Sequence, residues 1–340
     1  MYVLLLSAVT KVSFPGLGIH NLPIDRVAFS IGSFEIYWYS ICLILAFFSC
    51  VGLAMLQAKK HDLTPDHVID YALVCIPSAL VGARLYYVAF DWDSYKSDLK
   101  SILDIRSGGL AVLGGVLGAL IAAYILTKIK KLHYVQVLGA LIVYIPLGQA
   151  IGRWGNFFNQ ECFGTTTTLP WGMKSSEVES YLRLYFPDLD STMAVHPTFF
   201  YEFLATITIF FILLYVRKYS KHAFESMAVY MILYGVARFF IEGLRTDSLY
   251  IGDTGIRTSQ LFSAVLVVSG VIYLVVAYKK NIKRVYISEE LMNKTFLDSN
   301  KKVEKVEKAV REETNQEVSV SSTTDVSSET DDNANSEDGN

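Results

Sequence analysis

Charged residues are scarce in this chain. Asp, Glu, Lys and Arg make up only 19% of its 340 residues, whereas hydrophobic residues make up 52%. A soluble protein of this length would carry more charge and less apolar surface. The formal net charge is only -3, and no basic patch interleaved with aromatic residues indicates nucleic-acid binding. The composition therefore predicts an integral membrane protein without a nucleic-acid partner.

Cysteine is also rare, and its spacing excludes two kinds of site. Cys42, Cys50 and Cys75 lie in hydrophobic runs, where a thiol behaves as a small apolar group. The chain has neither a CxxC motif nor Cys/His ligand spacing, so we predict no disulfide framework, no metal and no cofactor. Cys162 lies in a polar stretch, but we assign it no role. The N-terminus lacks a basic region and a clear cleavage site, so we predict no removed signal peptide.

Seven hydrophobic runs approach the roughly 20 apolar residues that a membrane-spanning helix needs. They are Ile36–Gln57, Val68–Phe90, Gly109–Thr127, Val135–Ile151, Thr198–Val216, Met227–Leu244 and Thr258–Tyr278. The sequence therefore predicts an all-α polytopic membrane protein with about seven transmembrane helices.

Lysine and arginine gather in alternate connections, after the first, third, fifth and seventh runs. Because such clusters mark the cytoplasmic side, we expect the N-terminus outside and the C-terminus in the cytoplasm. We divide the chain into an extracytoplasmic segment, residues 1–35, and a transmembrane domain, residues 36–280, with outer loops at about 91–107 and 153–197. Residues 281–340 form an acidic tail with little to bury, which we expect to be largely disordered.

Glycines punctuate the third run at positions 108, 109, 114, 115 and 118. Glycines four apart, such as Gly114 and Gly118, allow helix backbones to approach closely. Adjacent pairs can instead mark a break at which the backbone faces a ligand. The sequence leaves both interpretations open.

Several ionisable side chains fall within or beside the hydrophobic runs. They are Arg84, Arg153, Glu202, Arg238, Glu242 and Arg245. Each would cost about 2.5 kcal/mol or more if it faced lipid, so we expect them to line an outward-side polar cavity. Some should form structural ion pairs, of the type Arg245–Glu242 or Arg84–Glu202. The arginines outnumber the carboxylates, and surplus guanidinium favours an anion such as the phosphate of a lipid headgroup.

The most distinctive motif begins where the fourth run ends: Gly152-Arg153-x-Gly155-Asn156-Phe157-x-Asn159-x-Glu161-x-x-Gly164. Further motifs are Trp38-Tyr39, Arg84, Gly108-Gly109, His196-Pro197 with Tyr201-Glu202, and Tyr234-Gly235-x-x-Arg238-Phe239-x-x-Glu242-x-x-Arg245. In this order and spacing, from about Phe29 to Tyr278, the chain resembles the bacterial prolipoprotein diacylglyceryl transferase family.

This resemblance implies a transferase of the bacterial cell membrane. Its substrates would be phosphatidylglycerol and the lipobox cysteine in the signal peptide of a prolipoprotein. The cysteine thiol would attack the glycerol carbon that bears the phosphate, which would form a thioether and release glycerol phosphate. Thiolate is the nucleophile in such a step, and positive groups would stabilise the departing phosphate.

The resemblance also implies roles for individual residues. Arg153 and Arg238 would be catalytic, holding the phosphate and stabilising its departure. The expected substrate-binding set is Tyr39, Arg84, Asn156, Asn159, Glu161, Gly164, Glu202, Tyr234, Glu242 and Arg245. Among these, Tyr39, Asn156 and Tyr234 would hydrogen-bond the headgroup, and Gly164 would satisfy a backbone requirement of its loop.

The chain departs from the family pattern at two places. Leu113 stands where the family usually has a histidine thought to activate the thiol, and Leu138-Gly139 replaces a polar pair of the Ser-Asp type. Either the guanidinium field activates the thiol, or His196 or Tyr234 serves, or the chain is a weakened paralogue that binds lipid or lipoprotein precursors. A transporter or channel is the third alternative, disfavoured because no inverted repeat is evident.

Overall fold

The structure is a computed structural model that describes residues 9–32, 34–61, 63–104, 108–220, 222, 224–248, 250 and 254–282. The polar tail expected to be disordered therefore lies outside the described residues, except for its first two positions. The described part is mostly helical and carries a small amount of β structure near its N-terminus and in the long connection before residue 197.

Seven helical segments of the described residues are long and apolar enough to cross a membrane. The helices are α1 (Trp38–Gln57), α2 (Pro65–Phe90), α3 (Trp92–Tyr95), α4 (Val112–Ile129), α5 (Tyr134–Leu141), α6 (Ile145–Asn159), α7 (Ser176–Tyr185), α8 (Thr198–Tyr219), α9 (Glu225–Leu244) and α10 (Thr258–Lys279). Short α3 and α7 lie in connections, and α5 and α6 together make the fourth span. The expected polytopic helical fold is confirmed.

The fourth span differs from its expected form in two ways. A 3-10 turn, Ile142–Tyr144, separates α5 from α6, and Pro146 lies in the first turn of α6, where a missing N–H costs no hydrogen bond. The helix then continues to Asn159 instead of ending near Ile151. It stops where Gln160 adopts a left-handed conformation with φ of 57°. Arg153 therefore lies on a helix and not in the expected outer loop, 153–197.

Short strands cover one end of the bundle, and the sequence did not predict them. Strand β1 (Val9–Phe14) pairs antiparallel with β2 (Ile19–Asp25) and with β6 (Lys174–Ser175), and the hairpin of β3 (Val27–Ile31) and β4 (Phe34–Tyr37) leads directly into α1. The two-residue strands β5 (Thr166–Thr167) and β7 (Ala194–Val195) pair with each other. Val12, Met173, Leu182 and Val195 are fully buried there and join the N-terminal strands to the 160–197 connection.

The helices pack as a row in the order α4, α2, α1, α6, α8, α9 and α10. α5 contacts both α4 and α9. It follows the lysine-rich connection after α4 and lies at that end of the bundle. There it contacts two helices, α4 and α9, that are not neighbours in the row. The opposite end, at the start of α8 and the end of α9, carries Glu202, Arg238, Glu242 and Arg245.

Glycines in the third span allow close helix packing and also form a backbone break, whereas a ligand at that break stays a prediction. A β-carbon at Gly114 would overlap the side chain of Tyr86 and the carbonyl oxygen of Gly82, so these glycines let α2 and α4 pack closely. Gly108 and Gly109 have φ angles of 93° and 69° and form the break before α4. Gly114 therefore serves helix packing, whereas Gly108 and Gly109 form the backbone break.

We predict that Gly114→Ala destabilises the α2–α4 pair, because a methyl group would push the backbones apart and cost about 1–3 kcal/mol. Gly52→Ala is the matched control, since no atom lies within 4 Å of a β-carbon at this helical position. Alanine favours a helix more than glycine does, so the control should unfold at the same or a higher temperature. Equal unfolding temperatures of the two variants in detergent would contradict the close packing.

Candidate active site

The carboxylate of Glu202 is the centre of a buried ion network. Glu202 lies in the second turn of α8 and is 3% exposed. Its Oε2 contacts Nη2 of Arg153, and its Oε1 lies 2.6 Å from Nη1 of Arg238 and 3.3 Å from Nη1 of Arg245. One carboxylate on α8 thus joins guanidiniums from the end of α6 and from the end of α9.

Two further carboxylates complete the network. Arg238 Nη2 lies 2.6 Å from Oε2 of Glu242, one helical turn later on α9. Arg245 donates from Nε to Oδ1 of Asp247 at 2.8 Å and from Nη2 to Oδ2 at 2.6 Å. Burial alone would raise the pKa of Asp247, but the hydrogen bonds and charge of Arg245 outweigh burial and lower this pKa.

Two expectations about ion pairing are wrong. Arg245 pairs with Glu202 and Asp247 and not with Glu242, because Arg245 has an extended backbone after the last turn of α9 and Asp247 can turn back toward it. The expected excess of arginine is also absent, since Arg153, Arg238 and Arg245 face three carboxylates. Sequence reasoning missed Asp247, although an acid two residues after an arginine at a membrane boundary was a usable signal.

Exposure within the network is uneven. The side chains of Arg153 and Arg238 are 20% and 17% exposed, whereas those of Glu202 and Glu242 are 4% and 2% exposed. Glu202 and Glu242 therefore lie behind Arg153 and Arg238, whereas Asp247 is 37% exposed beside Arg245. We call the two partly exposed guanidiniums of Arg153 and Arg238 the guanidinium face.

A chain of side-chain amides extends from Arg153. Its Nη1 donates to Oδ1 of Asn156 at 3.2 Å, and Nδ2 of Asn156 donates to Oε1 of Glu161 at 2.9 Å. Nδ2 of Asn159 donates to the same carboxylate oxygen at 3.2 Å. The last turns of α6 and the residues after it thus fix the orientation of the Arg153 guanidinium.

Two tyrosines stand beside the charged groups. Tyr39 on α1 packs against Gly155, where a β-carbon would lie 2.8 Å from the tyrosine ring, and it feels the charges of Glu161 and Arg153. Tyr234 on α9 stacks on Tyr230 with a centroid separation of 5.4 Å and feels the charge of Glu202. Among the described residues neither hydroxyl has a hydrogen-bond partner, so both are free to bind a ligand.

Gly164 joins the connection after α6 to the end of α9. Its N–H donates to the carbonyl of His196 at 2.8 Å, and the next N–H, of Thr165, donates to the carbonyl of Leu244 at 2.8 Å. A β-carbon at position 164 would lie 2.8 Å from both the His196 β-carbon and the Leu244 carbonyl oxygen. Glycine is therefore the residue that fits this approach.

Cys162, His196 and Leu113 take no part in the ion pairs of the network in the described residues. Burial raises the pKa of the Cys162 thiol, which keeps it protonated. Burial lowers the pKa of His196, whose Nδ1 lies 3.1 Å from the hydroxyl of Tyr201 and which has no contact with the guanidinium face in the described residues. Leu113 is the second residue of α4 and has no group that can accept a proton.

Arg84 does not belong to the network, which corrects its expected pair with Glu202; its expected contact with substrate stays a prediction. It is 4% exposed, and its guanidinium lies 5.0 Å from the ring of Tyr95. Its nitrogens donate five hydrogen bonds, to the carbonyl oxygens of Ser101, Ile102, Asp104, Gly108 and Gly109. A guanidinium has five N–H donors, so none is left for a phosphate. Arg84 instead holds the connection before α4.

These features define a polytopic helical membrane protein with a buried ion network near one end of the bundle. The sequence model of prolipoprotein diacylglyceryl transferases matches residues 26–276. The chain therefore belongs to the prolipoprotein diacylglyceryl transferase family.

Its relatives include several proteins named phosphatidylglycerol–prolipoprotein diacylglyceryl transferase. The one from Finegoldia magna is 45% identical over 259 residues, which cover 76% of this chain and 97% of the relative. The one from Clostridioides difficile is 40% identical over 266 residues, which cover 78% of this chain and 100% of the relative. The one from Listeria monocytogenes is 38% identical over 252 residues, which cover 72% and 87%.

We predict that Arg84→Gln loosens the connection before α4, because several partly buried carbonyl groups would lose a charged donor, at about 1–3 kcal/mol each. Limited proteolysis of the purified protein should then cut between residues 96 and 111 faster than in the unmodified protein. Arg183→Gln is the control, since the Arg183 side chain is 70% exposed and pairs only with Glu179 on its own helix. Unchanged cleavage of Arg84→Gln would show that Arg84 does not hold this segment.

Proposed function

We propose that the protein transfers the diacylglyceryl group of phosphatidylglycerol to the lipobox cysteine of prolipoproteins. The sulfur–carbon bond forms as the bond between the glycerol carbon and the phosphate oxygen breaks. Glycerol phosphate departs with that electron pair, and the thiol proton passes to a base or to water. The observation that supports this reaction best is the guanidinium face, because the step develops negative charge on a phosphate.

Each exposed guanidinium keeps donors for this phosphate. Arg153 uses its two Nη atoms on Asn156 and Glu202, and Arg238 uses its two Nη atoms on Glu202 and Glu242. Since a guanidinium carries five N–H groups, each has donors to spare. Donors already oriented in a site of low polarity stabilise a developing phosphate charge without reorganising. Arg153 and Arg238 are therefore the proposed catalytic residues.

The neighbouring groups fit the positioning of the headgroup. Asn156 already contacts Arg153, and the free hydroxyls of Tyr39 and Tyr234 stand on the two sides of the network. We assign to these three residues the hydrogen bonds to the glycerol headgroup. Glu202 and Glu242 act as positioning residues, because they hold the catalytic guanidiniums from behind. Arg245 positions Glu202, which it contacts, and Asn159 and Glu161 position Asn156.

Activation of the thiol differs from the family pattern, because Leu113 cannot accept a proton. The guanidinium face would lower the pKa of a bound thiol, since neighbouring positive charge favours thiolate. We assign activation to this field. Of the other two candidates, Tyr234 lies beside the network, whereas His196 contacts Tyr201 and has no contact with the arginines in the described residues.

The alternation of basic connections supports placing the network in the outer half of the bacterial cell membrane, with the C-terminus in the cytoplasm. A lipobox cysteine exported across the membrane would then meet phosphatidylglycerol at the guanidinium face. A catalytically weakened paralogue that binds phosphatidylglycerol or lipoprotein precursors is the second candidate. Leu113 is the observation that favours it.

The direct test is conversion of a fluorescent lipobox peptide to its diacylglyceryl thioether by the purified protein in phosphatidylglycerol nanodiscs. We expect turnover by the unmodified protein and a loss of about 10²-fold or more in Arg238→Gln, which removes a donor to the developing charge. Arg183→Gln, with its exposed guanidinium, should react at the unmodified rate. Absence of thioether product with well-folded protein would favour the binding paralogue.

Replacing Leu113 by histidine tests whether the native site lacks a base that activates the thiol. If the guanidinium field activates the thiol, Leu113→His should change kcat/KM by less than about threefold, because general-base catalysis would otherwise supply about 10²-fold or more. Leu113→Gln is the control for polarity without basicity, and the pH profile should stay unchanged in both variants. A large gain confined to histidine would show that the native site lacks a base it needs.

A further inference from the structure

A second polar pocket lies at the end of the bundle opposite the ion network. It is a small pocket that opens to solvent, lined by the end of α8, the start of α9, α5 and the 3-10 turn that follows α1 (Ala58–His61). Glu202 and Arg217 lie on the same helix, α8, separated by roughly 22 Å along its axis. The pocket is therefore separate from the proposed active site.

Arg217 forms the inner wall of this pocket and carries a buried charge without a carboxylate partner. It is 5% exposed, and its guanidinium donates to the carbonyl of Ala140 at 3.2 Å, to the hydroxyl of Tyr144 at 3.0 Å and to the side-chain oxygen of Gln57. All three partners are neutral, and Nε has no partner within the described part of the chain. A buried charge without a counter-charge is costly, so the site favours an anion.

Gln136 supplies a second donor to the same pocket. It is 7% exposed and lines the pocket, yet its side-chain amide has no hydrogen-bond partner among the residues that the structure describes. Arg217 and Gln136 thus leave two kinds of N–H donor available in one small space.

The carboxylate of Glu225 also lines this pocket, and the described residues show no ion pair between it and Arg217. Glu225 accepts hydrogen bonds from the hydroxyl of Tyr278 at 2.8 Å, from the hydroxyl of Ser220 at 3.0 Å and from the backbone N–H of His222 at 3.3 Å. These donors hold its carboxylate at the start of α9. The imidazole of His222 itself lies against the ring of Tyr278, with centroids 4.2 Å apart.

We propose that this pocket binds a phosphate group, carried either by the headgroup of an anionic lipid in the adjoining leaflet or by a soluble phosphate. A guanidinium and an amide match phosphate oxygens, and exposed Lys59, Lys60 and Lys218 stand on the same end of the bundle, where basic side chains attract anionic lipids. The site is independent of the transfer reaction and requires none of the residues assigned to it.

The test is a titration of the full-length protein in detergent micelles with short-chain phosphatidic acid, with short-chain phosphatidylcholine and with inorganic phosphate, followed by thermal unfolding. An Arg238→Gln background reduces binding at the active site. We expect phosphatidic acid to raise the unfolding temperature. Arg217→Gln should raise the dissociation constant of phosphatidic acid by about tenfold or more. Arg183→Gln in the same background should bind as tightly as the background protein.

The two possible sources of the phosphate are distinguished by the same titration. A rise in unfolding temperature with inorganic phosphate as well would identify soluble phosphate as a source, whereas a rise with the lipid alone would identify the headgroup.

Arg217→Gln also removes bonds to Ala140 and Tyr144 and can therefore disturb folding. Gln136→Leu has a similar volume and leaves those bonds intact, so it tests the pocket without this complication. We expect about fivefold weaker binding of phosphatidic acid in this variant. Binding equal to that of the background protein in folded Gln136→Leu, or no binding of any phosphate compound by the background protein, would overturn the proposal.

Discussion

A single buried carboxylate, that of Glu202, holds three guanidiniums that come from two other helices. Removing such a carboxylate would leave Arg153, Arg238 and Arg245 with too little negative charge in a poorly polar environment, which costs about 3–5 kcal/mol. The position of the network depends on this contact, because α6 and α9 both pack on α8 and their arginines converge on the one acid. Glu242 and Asp247 then hold the guanidiniums at their other edges.

The arrangement resolves a conflict between stability and function. Phosphate binding requires accessible positive charge, whereas unpaired arginines within a membrane protein are costly. Glu202 and Glu242 lie behind Arg153 and Arg238, so the two guanidiniums are paired on their buried side and stay partly exposed on the other. Glycines and tyrosines complete the frame: Gly155 lets α1 bring Tyr39 close, and Gly164 lets the connection after α6 reach the end of α9.

The sequence predicted the elements that depend on hydrophobic length, and the family motif predicted which residues would meet. The seven spans and the convergence of Arg153, Glu202 and Arg238 were accessible in this way, because long apolar runs and costly charges are local properties of the chain. What failed depends on tertiary geometry. Asp247 can turn back toward Arg245 because α9 ends at Leu244. Arg84 donates to carbonyl groups of the connection before α4, and hydrophobic periodicity does not predict the path of a connection. Of the strand pairs at the N-terminus, that of β1 with β6 could not be predicted, because Ser175 lies 175 − 12 = 163 positions after its partner Val12.

The central claim is that Glu202 positions the guanidinium face for phosphate displacement. It is tested most directly by kcat/KM for thioether formation in Glu202→Gln, an isosteric change that removes the charge, compared with Glu179→Gln on the exposed surface of α7. We predict a loss of about 10²-fold or more for Glu202→Gln in protein with unchanged helix content, and no loss for Glu179→Gln. Folded Glu202→Gln with the unmodified kcat/KM would contradict the account.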